Sequence, residues 1–272
     1  MGVLNENFTL VNQVEIPKIG FGTWQIPNGD ICFKAVTSAF KAGYRHIDTA
    51  RAYGNEVSVG QAVRASGIAR ELIFVTTKLP AEVKTYDGAL TSFEKTMKAL
   101  DMAYVDLYLI HAPWPWNEAG ADYSKQNVEV WKAMEEIYRS GRARSIGVSN
   151  FSVSDLQVVF DHCQIKPMVN QIRFFIGYTQ DDVTAFCQAN DVLVEGYSPL
   201  ATGDILDNKE IAVMAEKYDV SVAQICLRYV LQRDALPLPK STHDAYIKAN
   251  TEINFVISET DMTYLNKLIV DA

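Results

Sequence analysis

The chain has 272 residues, of which 48% are hydrophobic, enough for one large domain with a substantial core. A formal net charge of −8 argues against a nucleic-acid backbone or an anionic membrane surface as partner, so an anionic ligand would need a local cationic site. The four cysteines, Cys32, Cys163, Cys187 and Cys226, form no CxxC pair, which leaves a zinc site or a disulfide framework poorly supported.

In chain order, MGVLNENFTLVNQVEIPK lacks the basic start and apolar stretch of a signal peptide, and no run reaches membrane-span length. The expectation is a soluble, cytoplasmic protein. FTLVNQVEIP reads as a hairpin turning near Val11-Asn12-Gln13. Eight strand-like runs follow: KIGFGTW (18–24), RHIDTA (45–50), LIFVTTKL (72–79), VDLYLIH (105–111), SIGVSN (145–150), PMVNQI (167–172), VLVEGYS (192–198) and ALPLP (235–239). Helix-period stretches separate them. NEVSVGQAVRAS spans 55–66, and YDGALTSFEKTMKAL (86–100) places Leu90, Phe93, Met97 and Leu100 on one face. NVEVWKAMEEIYRSG stops at Gly141, and DNKEIAVMAEKYD starts behind polar residues. SETDMTYLNKLIVDA reads as a terminal helix, with Ser258 and Asp261 spaced as a capping box.

Alternating strands and helices imply a parallel sheet with right-handed crossovers. Eight such units at this length point to an α/β fold, a closed (β/α)8 TIM barrel, as one domain over 1–272. The hairpin would plug the bottom, and the terminal helix would follow the last strand. An open doubly wound sheet is the rival.

In such a barrel, chemistry collects at the C-terminal ends of the strands. Here those ends carry Gly22-Thr23-Trp24, Asp48, Lys78, His111, Ser149-Asn150, Asn170-Gln171, Tyr197-Ser198 and Lys240-Ser241-Thr242. A tyrosine hydroxyl is a reluctant acid at neutral pH. An ammonium beside Tyr53 should pull its pKa down, and a carboxylate behind that ammonium should hold it charged and in place. Asp48, Lys78 and Tyr53 therefore suggest a proton relay, with His111 orienting a carbonyl oxygen that receives hydride from elsewhere. Singly, each residue has a plainer reading: a helix cap, a solvated rim charge, a packed ring or a core histidine. A metal site built on His46, Asp48 and His111 lacks the usual ligand count, and a lysine paired with a carboxylate is a poor Schiff-base nucleophile.

GFGTW (20–24), GYRHIDTARAYGNE (43–56), TTKL (76–79), DLYLIH (106–111), GVSNF (147–151), VNQI (169–172), YSPLA (197–201) and PKST (239–242), in this order, resemble the aldo-keto reductase family. The chain is most similar to its shorter bacterial members, of the kind that act on diketogluconate-like sugars, keto-acids and methylglyoxal-like aldehydes. The resemblance implies a barrel holding a nicotinamide cofactor without a Rossmann unit. In keeping with that, Gly20-Phe21-Gly22 is continued by Gln25 where a dinucleotide fingerprint has its third glycine. It implies Tyr53 as general acid supported by Lys78 and Asp48, with His111 orienting the substrate carbonyl. It further implies Ser149, Asn150 and Gln171 on the nicotinamide carboxamide and Tyr197 stacked on its ring. Gly22 and Thr23 approach the cofactor through the backbone, as do Ser198 and Leu200 near the pyrophosphate.

In PLPKSTHDAYIKAN, the Ser241 to Asp244 spacing suggests a capped helix N-terminus beside Lys240 and Thr242, a plausible anion site. The resemblance assigns it to the 2′-phosphate of NADPH/NADP+, with Asn250 near adenine. Tyr246 stands where the family usually has an arginine clamp, which weakens the NADPH preference and leaves NADH possible. Arg173 and Phe175 replace a customary acidic residue and histidine, and APWPW after His111 moves the aromatic wall to Trp114 or Trp116. Trp24, Trp114 and Trp116 are the expected substrate contacts, and a small carbonyl compound is the expected partner of a monomer or weak oligomer. The second functional reading is a nucleotide-binding sensor or scaffold on the same fold with negligible turnover.

Overall fold

The computed structural model describes residues 2–270; Met1, Asp271 and Ala272, at the ends of the 1–272 domain and of the 258–272 helix reading, lie outside it. An antiparallel hairpin opens the chain, β1 (Asn7–Thr9) pairing β2 (Glu15–Pro17), with Gln13 in the left-handed region at the turn. Eight parallel strands follow: β3 (Phe21–Gly22), β4 (His46–Asp48), β5 (Phe74–Leu79), β6 (Val105–Ile110), β7 (Ala143–Ser149), β8 (Val169–Arg173), β9 (Leu193–Tyr197) and β10 (Ala235–Leu238). Each pairs with the next in chain order. Backbone bonds from Gly20 N to Pro237 O (3.1 Å) and Gly22 N to Pro239 O (2.9 Å) bring the first strand against the last. The sheet thereby forms a nearly closed (β/α)8 barrel.

Helices α1 (Asp30–Ala42), α2 (Glu56–Ala65), α3 (Tyr86–Leu100), α4 (Ser124–Arg139), α5 (Val153–His162) and α6 (Asp181–Ala189) lie between successive strands. The pair α7 (Lys209–Lys217) and α8 (Val222–Gln232) precedes β10, and α9 (Asp244–Ala249) and α10 (Glu259–Leu265) end the chain. Every residue of β5 and β6 is buried, as expected for parallel strands covered on both faces. On α3 the helical stripe points inward: Phe93, Met97 and Leu100 are buried, with Leu90 packed against them. Capping boxes start two helices, Ser152 with Asp155 on α5 and Ser221 with Gln224 on α8.

The hairpin sits at the bottom, where Asn12 Nδ2 donates to Arg144 O at 2.9 Å, beside the start of β7. Neither expected box nearer the C-terminus closes. Ser258 caps the N–H of Asp261, but its own N–H donates to Tyr218 Oη, and Asp261 takes Lys217 and Tyr218 instead. At 241–244, Ser241 Oγ accepts from His243 N while the Asp244 carboxylate takes Ser38 from α1, so α9 starts without a side-chain cap. Among the described residues, no helix is long and apolar enough to cross a membrane.

Candidate active site

Asp48 ends β4 and Lys78 lies near the end of the neighbouring β5, so both side chains reach the top of the barrel. Lys78 is fully buried. Its ammonium donates to Asp48 Oδ1 and Oδ2 (2.7 Å each), to Thr49 O (3.0 Å) and to Tyr53 Oη (3.2 Å). An ammonium has three protons, so these contacts use all of them and fix its orientation. Tyr53 stands on a single 3-10 turn, Arg51–Tyr53, closed by Gly54 in the left-handed conformation. Because Lys78 donates to the phenol oxygen, the phenol's own proton is free to point toward the barrel mouth. Asp48 caps no helix; the residue before α2 is Asn55, whose amide bonds Thr23 O and Ile26 O.

Burial raises the Tyr53 pKa above its ordinary value of 10.0; Lys78 offsets part of this and Asp48 adds to it. The expectation of a lowered pKa is therefore corrected, because desolvation outweighs the ammonium. For Lys78 burial acts downward, but Asp48 and Tyr53 prevail and the group stays protonated above its ordinary value. His111, 7% exposed, is held down to about 3 by burial and then by the Lys78 charge, so its ring is neutral at neutral pH.

Gln171 crosses the barrel from β8, on the side opposite β4. Its Nε2 donates to Asp48 Oδ2 (2.9 Å) and to Glu195 Oε2 (2.8 Å). Glu195 is the register partner of Gln171 on β9, which puts both side chains on one face. It is fully buried, with its carboxyl pushed up to about 8 by burial and then by Asp48. His46 lies behind it, Nε2 3.9 Å from Glu195 Oε1 and 2.9 Å from Thr76 Oγ1. The sequence reading passed over Glu195. Its signal was a carboxylate inside a strand, two residues before the rim tyrosine, where barrel interiors carry branched apolar residues.

The remaining expected residues divide by what their polar atoms already do. Thr23 is buried, its hydroxyl and its N–H both donating to Asp48 O and its carbonyl accepting from Asn55 Nδ2 and Ile26 N, so its polar groups are already engaged beside Gly22. Ser149 Oγ donates to Gln171 O, and Asn150 Nδ2 donates to His111 O and to Ser149 Oγ. Tyr197 Oη donates to Asn150 Oδ1 at 2.8 Å. Asn150 would reach a ligand only by exchanging one of these bonds. Gln171 Oε1 accepts nothing among the described residues. Ser198, Ala201 and Thr202 adopt positive φ (49°, 48° and 59°) around Leu200, a strained backbone after β9 of the kind that concentrates at ligand sites. Lys240, Thr242 and Tyr246 are exposed, Ser241 is half-buried, and Asn250 is buried at the end of α9.

An aromatic string lines the mouth. The Tyr53 ring is edge-on to His111 (5.5 Å), His111 to Trp116 (5.3 Å), and Trp116 to Trp114 (5.5 Å). Trp24, 45% exposed, stands on the rim outside this string. Behind the loop the buried Lys84 donates to Ala112 O (2.8 Å) and Asn127 Oδ1 (3.1 Å), and Asn127 Nδ2 donates to Pro113 O. That brace, tying both ends of the 112–127 loop, was also missed; a lysine after a strand gives no signal of burial.

Residues 18–270 match the model of the aldo/keto reductase family. Glyoxal reductase of Bacillus subtilis (strain 168) is 40% identical over 269 residues, covering 98% of this chain and 94% of the relative. The 9,11-endoperoxide prostaglandin H2 reductase of Trypanosoma cruzi (strain CL Brener) is 38% identical over 97% of this chain and 91% of its own. The crystal structure of an aldo/keto reductase from Brucella melitensis superposes with a TM-score of 0.90 at 40% identity, covering 96% of this chain and 98% of that one. A Bombyx mori aldo-keto reductase solved in complex with NADP gives 0.87 at 33% identity over 96% and 92%. With the family model matched across the whole barrel and the strand-end residues converging on one mouth, the chain belongs to the aldo/keto reductase family and is an NAD(P)H-dependent oxidoreductase.

Proposed function

We propose that the protein reduces small aldehydes and ketones to alcohols with NADPH, Tyr53 acting as the general acid. The observation that carries this is the Lys78 ammonium, clamped by Asp48 and donating to Tyr53 Oη at 3.2 Å. Tyr53 holds its proton in the resting site because burial keeps it neutral. As a substrate oxygen takes that proton, the phenolate that develops meets a positive charge already in place, a differential stabilisation of the kind catalysis needs. The neutral His111 imidazole can orient the carbonyl oxygen without competing as an acid.

The residues fit a nicotinamide nucleotide: Gln171 Oε1 accepts nothing among the described residues, and Lys240 is an exposed ammonium beside the Ser241 hydroxyl. When bound, that nucleotide supplies the hydride. Ser149, Asn150 and Gln171 would hold its carboxamide, Tyr197 its ring, Gly22, Thr23, Ser198 and Leu200 its middle, and Lys240, Ser241, Thr242, Tyr246 and Asn250 its 2′-phosphate and adenine end. The Bombyx mori relative's NADP complex supports this reading. Tyr246 without a guanidinium leaves room for NADH as a weaker alternative. The B. subtilis relative's activity supports small aldehydes such as glyoxal as substrates, and the Trp114–Trp116 wall suits small carbonyl compounds loosely held.

The test is Tyr53→Phe, followed by oxidation of NADPH with a panel of simple aldehydes. The expected loss in kcat is about 10²–10⁴ or more, as for a lost general acid, with NADPH binding retained. A fully active variant overturns the assignment of the acid. An unaltered protein that binds NADPH tightly yet oxidises it with no aldehyde would be the sensor instead.

A further inference from the structure

We infer that Glu195 is a positioning residue: with Asp48 it holds the Gln171 amide nitrogen inward, so that the amide oxygen faces the mouth and selects a ligand bearing an N–H donor. The inference rests on the nicotinamide reading and adds to it a residue that never touches the cofactor. An amide can present either end, and nothing in its shape decides which. Here both protons of Gln171 Nε2 are taken by carboxyl oxygens, Asp48 Oδ2 at 2.9 Å and Glu195 Oε2 at 2.8 Å. With the proton that burial keeps on Glu195 carried by Oε1, Oε2 is an acceptor like the Asp48 oxygen, and a flipped amide would bring its oxygen against both and lose both bonds. Oε1 is then the one polar atom of Gln171 left for a ligand, and an N–H of a carboxamide suits it.

Asp48 alone would supply one such bond; Glu195 supplies the second from the adjacent strand at the register-matched position. It has no cation of its own to justify its burial. Lys78 is fully engaged by Asp48, Thr49 and Tyr53, and His46 is 3.9 Å away with its Nε2 already on Thr76. Glu195 Oε1 and His46 Nδ1 remain buried without partners, an expensive arrangement for a group that only fills space. Among the described residues, the one hydrogen bond the Glu195 carboxyl makes is the one to Gln171.

The probes are NADP+ and its 3-acetylpyridine analogue, in which a methyl group replaces the carboxamide NH2 and removes the donor while keeping the carbonyl. Dissociation constants for both are measured on the unaltered protein, on Glu195→Met and on Glu195→Gln. Since each ratio is read on one preparation, a smaller folded fraction cancels; Glu195→Ser replaces the methionine variant if that fails to fold. The unaltered protein should prefer NADP+ by about tenfold, the size of one hydrogen bond to a group otherwise left unsatisfied. In Glu195→Met, where the amide can turn, that preference should shrink several-fold toward unity. Glu195→Gln, whose amide oxygen can still accept from Gln171 Nε2, should keep it. An unchanged ratio in the methionine variant, or equal loss in both variants, overturns the role of Glu195 while leaving the cofactor reading intact. Failure of the unaltered protein to bind either nucleotide overturns both.

Discussion

Replacing Lys78 by methionine removes the charge while keeping most of the side-chain volume. Two unit charges 3.2 Å apart interact by about 5 kcal/mol at the effective dielectric of about 20 that suits buried protein sites. The Asp48 carboxylate opposes a phenolate in both enzymes and cancels from the comparison, while relaxation around the vacated site offsets part of the loss, so about 3–4 kcal/mol of transition-state stabilisation is the expected loss. That corresponds to a fall in kcat of about 10²–10³-fold with the chemical step limiting, which a cofactor deuterated at the transferred position would establish through its isotope effect. Cofactor affinity should change little, since among the described residues the Lys78 ammonium bonds only Asp48, Thr49 and Tyr53. The variant also leaves Asp48 buried with only an amide partner and should lose about 3–5 kcal/mol of stability. The double change Asp48→Asn with Lys78→Met removes that unpaired charge, so it should recover stability and only the part of kcat that the Asp48 repulsion costs. A Lys78→Met enzyme that turns over at nearly the unaltered rate, with a full isotope effect, would refute the electrostatic role. So would full recovery of kcat in the double variant.

Two further outcomes follow from the same geometry. Lys240→Ala should narrow the ratio of NADH to NADPH dissociation constants by about fivefold to tenfold, the worth of one charge-assisted phosphate contact; equal affinities in the unaltered protein would show that this end does not read the phosphate. Burial and then Asp48 raise the Glu195 carboxyl from an ordinary 4.5 to about 8, so the folded state keeps a proton that the unfolded chain releases between those values, and stability should fall as pH rises across that window. Glu195→Gln cannot release a proton there, and urea unfolding at the two ends of the window should show several kcal/mol less pH dependence than the unaltered protein; parallel pH profiles would show that Glu195 does not titrate as described.

The barrel was readable because parallel strands buried on both faces are nearly continuous apolar runs: six of the eight runs contain the observed strands, and the other two overlap strands that start two residues earlier, at Ala143, or end one later, at Arg173. The rim was readable because polar residues ended those runs. What escaped depended on distance in space. Ser241 and Asp244 have capping-box spacing, yet Ser38, 206 residues earlier in the chain, claims the aspartate. Ser258 and Asp261 are likewise half-captured by Tyr218. Glu195 sits inside a strand whose neighbours are apolar on either side, so no alternation marks which face it occupies until the register sets it beside Gln171. The direction of the Tyr53 shift depends on how much water the phenol loses against how close the ammonium comes, and spacing along the chain reports neither.

That last correction improves the chemistry. A phenol already acidified in the resting site would have lost part of its proton before substrate arrived and would donate less often. Burial keeps the Tyr53 proton on, and in the proposed mechanism Lys78 acts only as negative charge appears on the oxygen. For the same reason the ammonium cannot be allowed to wander. Asp48 holds it with two oxygens, Thr49 with a third, and Gln171 holds Asp48 from across the barrel. The proposed acid and the glutamine proposed to read the carboxamide are thus fixed by one connected set of bonds, and loosening Asp48 should disturb proton transfer and nucleotide selection together.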